Sequence, residues 1–532
     1  RPHPKHELGV NLIYSRAEET FARMQSGQLP RNLIRGEIFE TSVMQQIERE
    51  LRTLQGRGEH VLFGNRNVRL EWNSTYTQTS QDEPDLRIFS SHRDTTGGET
   101  RYIIAPSLYT RPTRYFRNMS ESSWSNDFSL AVPIGSATVK IGSSYMMKDR
   151  QFRERRFEYG QTTGYTGNPD AFFGNAGLVE GSLEAGAPYE FGNYIQEVTQ
   201  RGNNYDAEQT VGAGFAMIDM PLFLSNLRFI GGLRAEYTDQ FVLNANRNGR
   251  IEELDLLPSI NLVYALTDNM NARLAYGRTL ARPSFREFAP FNSYDFINSV
   301  QIIGNPELER TLVNNFDARW EWFMRTGEIL AVSAFYKDFS NPIEQMLSPG
   351  AVNREITYQN ASEATVAGLE FEGRKRLDVL APALSNFQIG GNLTLTHSEV
   401  SIDPAELALI RGKNPDAPAT RELQGQSPYV VNLDLGYAHP DAGTNVSVFY
   451  NVFGKRLDTV ARAGTPDLYE QPRHTLDLVA SQRVPFGVEI RVSVKNILGA
   501  DYEVSQEYKD RTYYTYRYDM GRTISLGLKY TL

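Results

Sequence analysis

The 532-residue chain contains no cysteine. That excludes disulfide scaffolds and every Cys-ligated zinc or iron–sulfur centre. No uninterrupted apolar run approaches the roughly 18 residues that a membrane-crossing helix needs. Catalytic signatures are equally scarce. There is no HExxH, no Walker A loop, no GxGxxG and no thiol nucleophile. The Gly-rich stretch 174–186 neither follows a strand nor opens a helix, so it reads as loop. Basic excess is missing too: the net charge is −9, which is no footprint for nucleic-acid binding. The chain begins Arg-Pro-His-Pro, with no charged or apolar leader pattern, so a signal peptide has been removed or the chain starts internally.

Aromatics and glycine are plentiful, with 28 Tyr, 28 Phe and 42 Gly. Mean hydropathy is nevertheless −0.45. The arrangement of the apolar residues explains both facts. Ile524, Leu526, Leu528, Tyr530 and Leu532 alternate with Thr523, Ser525, Gly527, Lys529 and Thr531. The same zigzag runs through 488–495, 431–437 and 68–76. Successive strand side chains point to opposite faces, so each segment is a strand with one apolar and one polar face. Residues 42–56 are ambiguous: Val43, Ile47, Leu51 and Leu54 have helical spacing, and a tall strand is preferred over a surface helix.

Connections also alternate. Short turns sit at Pro133–Gly135, Thr267–Asn269, Arg325–Gly327, Pro440–Gly443 and Pro485–Gly487. Long polar stretches lie between them, at 81–117, 150–205, 283–310, 401–425, 455–472 and 498–512. Tight turns at one end and long loops at the other, on about 18 strands of roughly ten membrane-embedded residues each, predict an all-β fold: a transmembrane antiparallel β-barrel. Closure satisfies every backbone group in lipid without an apolar helix. Arg69, Glu71, Arg234, Glu236, Glu489 and Arg491 then face the lumen. They pair along a wet wall, or they touch a moving substrate.

Several segments carry a resemblance. They are LLPSINLVYALTDNMNARLAYGRTLARPSFRE (256–287), GNPELERTLVNNFDARWEWF (304–323), FYKDFSNPIE (335–344), ATVAGLEFEGRK (364–375), QSPYVVNLDLGY (426–437) and VKNILGADYEV (494–504). In this order they are similar to the barrel of TonB-dependent outer-membrane receptors. The likeness is nearest to the Bacteroidetes-like group that often carries an N-terminal carboxypeptidase-regulatory-like domain. The resemblance implies about 22 strands around a plugged lumen. Four of those strands then lie upstream with the plug or inside the long loops at 81–117 and 150–205. The plug itself is expected upstream of residue 1. Family members usually end in an aromatic residue, whereas this chain ends in Leu532 with Tyr530 before it.

The function the resemblance implies is active import across the bacterial outer membrane. The cargo would be scarce and bulky: a ferric chelate, an oligosaccharide, a peptide or a cobalamin-like compound. Implied partners are a TonB-type energy-transducing complex acting through the plug, the barrel-assembly machinery, lipopolysaccharide or other outer-membrane lipid, and a surface lipoprotein. No nucleic acid, cofactor, metal or catalytic residue is expected. The alternative is a passive pore or a scaffold barrel in an outer-membrane assembly. A barrel enzyme would need a constellation that seven scattered His do not supply.

Loop aromatics are the candidate substrate-binding residues: Tyr165, Phe172, Phe173, Tyr189 and Tyr194 in one loop, Phe285, Phe288, Tyr294 and Phe296 in another. They stack on cargo, or they pack the loops. Arg282 and Glu287 read as a structural pair at a strand top. His3 and His6, three apart beside prolines, and the acidic cluster Asp82, Glu83 and Asp85 read as solvated surface, not metal sites.

Overall fold

The computed structural model describes residues 1–532 except 1–4, 29–36, 64–66, 97, 105–110, 161–164, 175–193, 223–225, 296–299, 349–353, 463 and 532. Its main sheet has 21 strands. Three of them are short accessories at the loop end: Arg101–Ile103, Tyr194–Glu197 and Thr420–Arg421. The other eighteen form the wall, as the alternation predicts. They are β1 (His6–Gly27), β2 (Glu37–Leu62), β3 (Val68–Asp94), β4 (Thr113–Ile134), β5 (Ala137–Gly160), β6 (Tyr205–Pro221), β7 (Leu227–Asn244), β8 (Gly249–Thr267) and β9 (Met270–Ala281). After these come β10 (Thr311–Trp322), β11 (Ile329–Ser340), β12 (Glu363–Arg376), β13 (Phe387–Ser401), β14 (Tyr429–His439), β15 (Thr444–Phe453), β16 (His474–Val484), β17 (Val488–Lys495) and β18 (Thr523–Tyr530). Each pairs antiparallel with the next in sequence. Among the described residues β1 and β18 are each paired on one side only. Both have their free chain end at the short-turn end of the wall, so they run antiparallel, and direct closure or an even number of further strands completes the cylinder.

Register explains the low hydropathy. One apolar face runs unbroken around the wall. Leu54 opposes Tyr76, which opposes Trp124. Further round, Tyr276, Phe316 and Tyr336 form an aromatic row, and Val492 opposes Leu526. On β8 this face runs from Leu254 to Tyr264, about 33 Å along the strand. Tilted by some 45°, that spans the roughly 25 Å apolar band of an outer-membrane wall. The opposite face carries Arg69, Glu71, Arg234, Glu236, Glu489 and Arg491, as predicted. Phe215 and Phe335 also point inward, and each lies over a facing glycine. A Cβ on Gly142 would sit 2.5 Å from the Phe215 ring, and one on Gly368 would sit 2.4 Å from the Phe335 ring.

Residues 42–56 are strand throughout, as preferred, because β1 and β3 hydrogen-bond that stretch from both sides. Two expectations change. The expected loops at 81–117 and 150–205 shrink, since 81–94, 113–117 and 150–160 continue β3, β4 and β5. Above the membrane both faces meet water, so the alternation fades while pairing persists. Among the described residues those stretches hold no hidden wall strands.

Between β9 and β18 the loops build a second sheet of 8 strands, a canopy. Its members include Asn292–Asp295, Val300–Ile303, Ile343–Ser348, Arg354–Asn360, Arg456–Ala461, Leu468–Glu470, Asp501–Tyr508 and Arg511–Asp519. Four loops contribute two strands each. Hairpins from different loops join through parallel pairs, 300–302 beside 354–356 and 346–347 beside 460–461. Among the described residues there are three short α-helices: α1 (Pro169–Phe173), α2 (Phe285–Phe288) and α3 (Pro404–Lys413). Among the described residues no helix is long and apolar enough to cross a membrane.

Candidate functional site

The lumen wall is lined with ion pairs. Lys140 meets Glu71 at 3.1 Å, Arg69 meets Glu59 at 3.2 Å, Arg234 meets Glu236 at 2.8 Å and Arg319 meets Glu372 at 2.9 Å. A cavity of about 550 Å³ opens among Arg57, Glu71, Lys140, Phe215 and Arg234 near the short-turn end. Paired charges hold one another in place and leave the wall wet, which suits a surface that something polar must rest on or slide past.

Higher up, the loop after β9 folds inward. Ser284 and Glu287 form a reciprocal cap, the Glu287 carboxylate accepting from Ser284 N–H at 2.7 Å, and start α2. Phe285, Phe288, Phe291 and Leu308 pack on Tyr205, Ala207, Val242 and Ile251. By register those wall residues share the lumen face with Arg234 and Glu236. Tyr294 packs across on Val43, Leu86, Ile88 and Tyr115, the lumen face of β2, β3 and β4. Residues 282–295 and 300–308 are therefore parts of a strap across the upper lumen. Its return is flush: a Cβ on Gly304 would lie 2.0 Å from the Ala289 carbonyl oxygen.

Charged groups are buried beneath the strap. Arg117 donates to Glu154 at 2.8 Å and approaches Glu83 at 3.5 Å, and Asn203 donates to Glu154 at 2.7 Å. Arg286 stacks 4.1 Å from the Phe291 ring centroid and donates to the Ser293 hydroxyl and the Ile302 carbonyl. It makes no ion pair among the described residues, and burial lowers its pKa, with Arg117 adding like-charge repulsion.

The candidate aromatics separate onto opposite faces. Phe172 and Phe173 of α1, with Tyr165, pack on Phe89 and Tyr159. An extra residue in β3 between Glu83 and Leu86 shifts the register, which turns Phe89 outward. This cluster therefore lies outside the wall, with Phe89–Phe172 centroids 5.1 Å apart and Phe89–Tyr165 centroids 4.7 Å apart. Phe285 and Phe288 lie inside. All four phenylalanines are at most 7% exposed, so their rings are occupied by packing. Tyr194 belongs to the accessory strand opposite Gly160. Tyr189 and Phe296 lie outside the described residues. Arg282 and Glu287 do not pair with each other: Arg282 binds Glu236, and Glu287 serves the α2 cap.

Two features escape a reading of the sequence. The edge strand Arg511–Asp519 presents Tyr513, Tyr514 and Tyr518 about half exposed. Its run of tyrosines at 513–518 was the available signal. The second feature is a cleft of about 710 Å³ under the canopy, bounded by α3, the paired strands Ile343–Ser348 and Arg354–Asn360 and the end of strand Arg456–Ala461. No local signal announces it, because three loops supply its walls. Among the described residues no group of three or more His, Asp or Glu side chains is placed to hold a metal.

The family model described as TonB dependent receptor-like, beta-barrel matches residues 35–497. Among solved structures, the copper transporter OprC aligns with a TM-score of 0.60 at 12% identity, covering 99% of this chain and 79% of its own. The ferric citrate transporter FecA in its unliganded form gives 0.52 at 13%, covering 98% and 78%. The siderophore receptor PiuA from Acinetobacter baumannii gives 0.51 at 11%, covering 99% and 82%. Such identities speak to the fold alone. No curated protein matches the chain by sequence.

Proposed function

Because the chain belongs to the TonB-dependent receptor β-barrel family and is an outer-membrane protein, we propose that it imports a scarce, bulky nutrient with energy relayed by a TonB-type partner. The observation that carries this reading is the strap. A wet, charge-lined lumen is narrowed from above by residues 282–295 and 300–308, which suits gated capture better than free diffusion. The cargo range is a ferric chelate, oligosaccharide, peptide or cobalamin-like compound. Copper, ferric citrate and siderophore are the cargoes named for the fold neighbours, and they belong among the first compounds to try. The plug through which TonB would act is expected outside residues 1–532, with the remaining wall strands, and the paired charges around Lys140 and Arg234 are suited to seat it. The barrel-assembly machinery, lipopolysaccharide and a surface lipoprotein are the further partners this reading carries. No bond is made or broken by the barrel.

The test is growth on single scarce nutrients after deletion of the gene, with and without a working TonB. Loss of growth on one nutrient, restored by the gene only when TonB works, is the expected result. Uptake indifferent to TonB removes the proposal, and open-pore conductance of the complete protein in planar bilayers would replace it with the passive reading.

A further inference from the structure

The cleft under the canopy is unevenly charged. Its arginines are occupied: Arg421 donates to Glu344 at 2.9 and 2.5 Å, and Arg462 is held by Gln359. Two carboxylates beside them, Glu406 and Asp467, make no ion pair among the described residues. Each accepts one backbone N–H. Glu406 takes that of Gly464 at 3.2 Å, and Asp467 takes that of Ala461 at 2.7 Å. A carboxylate has about four acceptor positions, so both keep capacity. Met346, Leu409, Ile410 and Val460 give the same cleft an apolar surface. A carboxylate beside apolar side chains and short of partners is poorly solvated. Burial accordingly pushes the Asp467 carboxyl above its usual range, against the Ala461 N–H and the neighbouring Arg421 that lower it, and Glu344 and Glu406 add to the rise.

A ligand that relieves this needs a compact cation joined to an apolar body. It must also fit about 710 Å³, within the usual range for small-molecule sites. We propose that the cleft captures the free N-terminus of a short hydrophobic peptide, its ammonium between Glu406 and Asp467 and its first side chains on Leu409, Ile410 and Met346. Ser362 and Ser401 at the rim offer hydroxyls to the peptide groups that follow. An anionic chelate meets repulsion here. This inference names a cargo class and so rests on the import reading.

Calorimetry on the full chain in detergent tests it, with trileucine and N-acetyl-trileucine as probes. Trileucine is expected to bind at least about tenfold more tightly, the worth of about one charge-assisted contact. The double variant Glu406→Gln/Asp467→Asn should bring the two peptides within about twofold while leaving the weak binding of the acetylated one. Leu409→Trp should fill the cleft and abolish both, with the strand signal in circular dichroism unchanged. Equal binding of the two probes, binding of neither, or a preference that survives the double variant overturns the proposal. Amine-selective binding with nutrient uptake indifferent to TonB would sink the import reading and leave the cleft standing. TonB-dependent uptake without amine selectivity would do the reverse.

Discussion

The two halves of the wall meet the same problem differently. From β1 to β5 the strands run 22–27 residues, about 73–90 Å of chain, and simply keep pairing above the membrane. From β9 onward the wall strands run 8–15 residues, and the chain above them bends and pairs again as the canopy. The bends coincide with residues that leave the extended region: Asn341 with φ 55°, Asn496 with φ 54°, Gly499 with φ 65° and Gly521 with φ 66°. A left-handed residue stops a ladder because its neighbours can no longer keep the pleat. Continuous pairing gives a stiff palisade whose interior needs charge networks to fill it. Broken pairing gives hairpins that can join across loops and enclose a cleft.

The largest expected effect tests what holds the palisade. The Arg117 side chain is 11% exposed and that of Glu154 1%. Arg117→Leu leaves Glu83 and Glu154 buried without a cation, and should cost about 3–5 kcal/mol. Urea unfolding, with hydrogen exchange across 80–94 and 113–160, measures it. The corresponding canopy change, Arg456→Leu beside Glu470, should cost less, because the Arg456 side chain is 35% exposed. Equal costs would erase the distinction between the halves.

Next comes the membrane band that both halves share. Leu256→Arg on the outer face should destabilise by about 2–4 kcal/mol in lipid, whereas Leu257→Arg, one residue on and facing the lumen, should cost far less. Folding titrations in bilayers separate the two, and reversed order would invert the assigned faces.

The hinges come third. Asn341→Val forces a branched side chain into the left-handed region at about 1–2 kcal/mol, while Asn341→Gly should be nearly neutral. Faster limited proteolysis of 343–348 and 354–360, with the palisade unaffected, is the expected signature. A canopy indifferent to valine would mean that the bend is held from elsewhere.

The smallest effect lies at the opposite end of the wall. Glu328, in the turn between β10 and β11, binds Lys375 at 2.7 Å and Arg325 at 2.9 Å. The Lys375 hydrogen bond leads in holding its pKa at about 2 instead of 4.5. A depressed carboxylate contributes fully above its unfolded value, so the turn's protection should be intact above pH 4.5 and fade as pH falls toward 2. Hydrogen exchange of 323–329 against pH shows this, and Lys375→Met should flatten the profile.

Alternation alone carried the wall. Val488–Lys495 and Thr523–Tyr530 pair as their zigzag requires, Val488 opposite Tyr530 and Val494 opposite Ile524, because in lipid a one-residue slip would turn every apolar side chain inward. The lumen charges were legible for the same reason. So were the short turns, since glycine or asparagine marks where a strand must reverse.

Other features needed the folded chain. The inward or outward fate of the loop aromatics hung on one extra residue in β3, a shift that no composition announces. Phe89 thereby turned out while Val242 stayed in, and one aromatic group became an outer buttress and the other a strap. The canopy and its cleft depend on contacts between loops far apart in sequence. Glu406 meets Gly464 and Arg421 meets Glu344 only after the wall has brought their hairpins side by side. Local pattern is read from neighbours two residues away, and a site assembled from several hairpins has none to read.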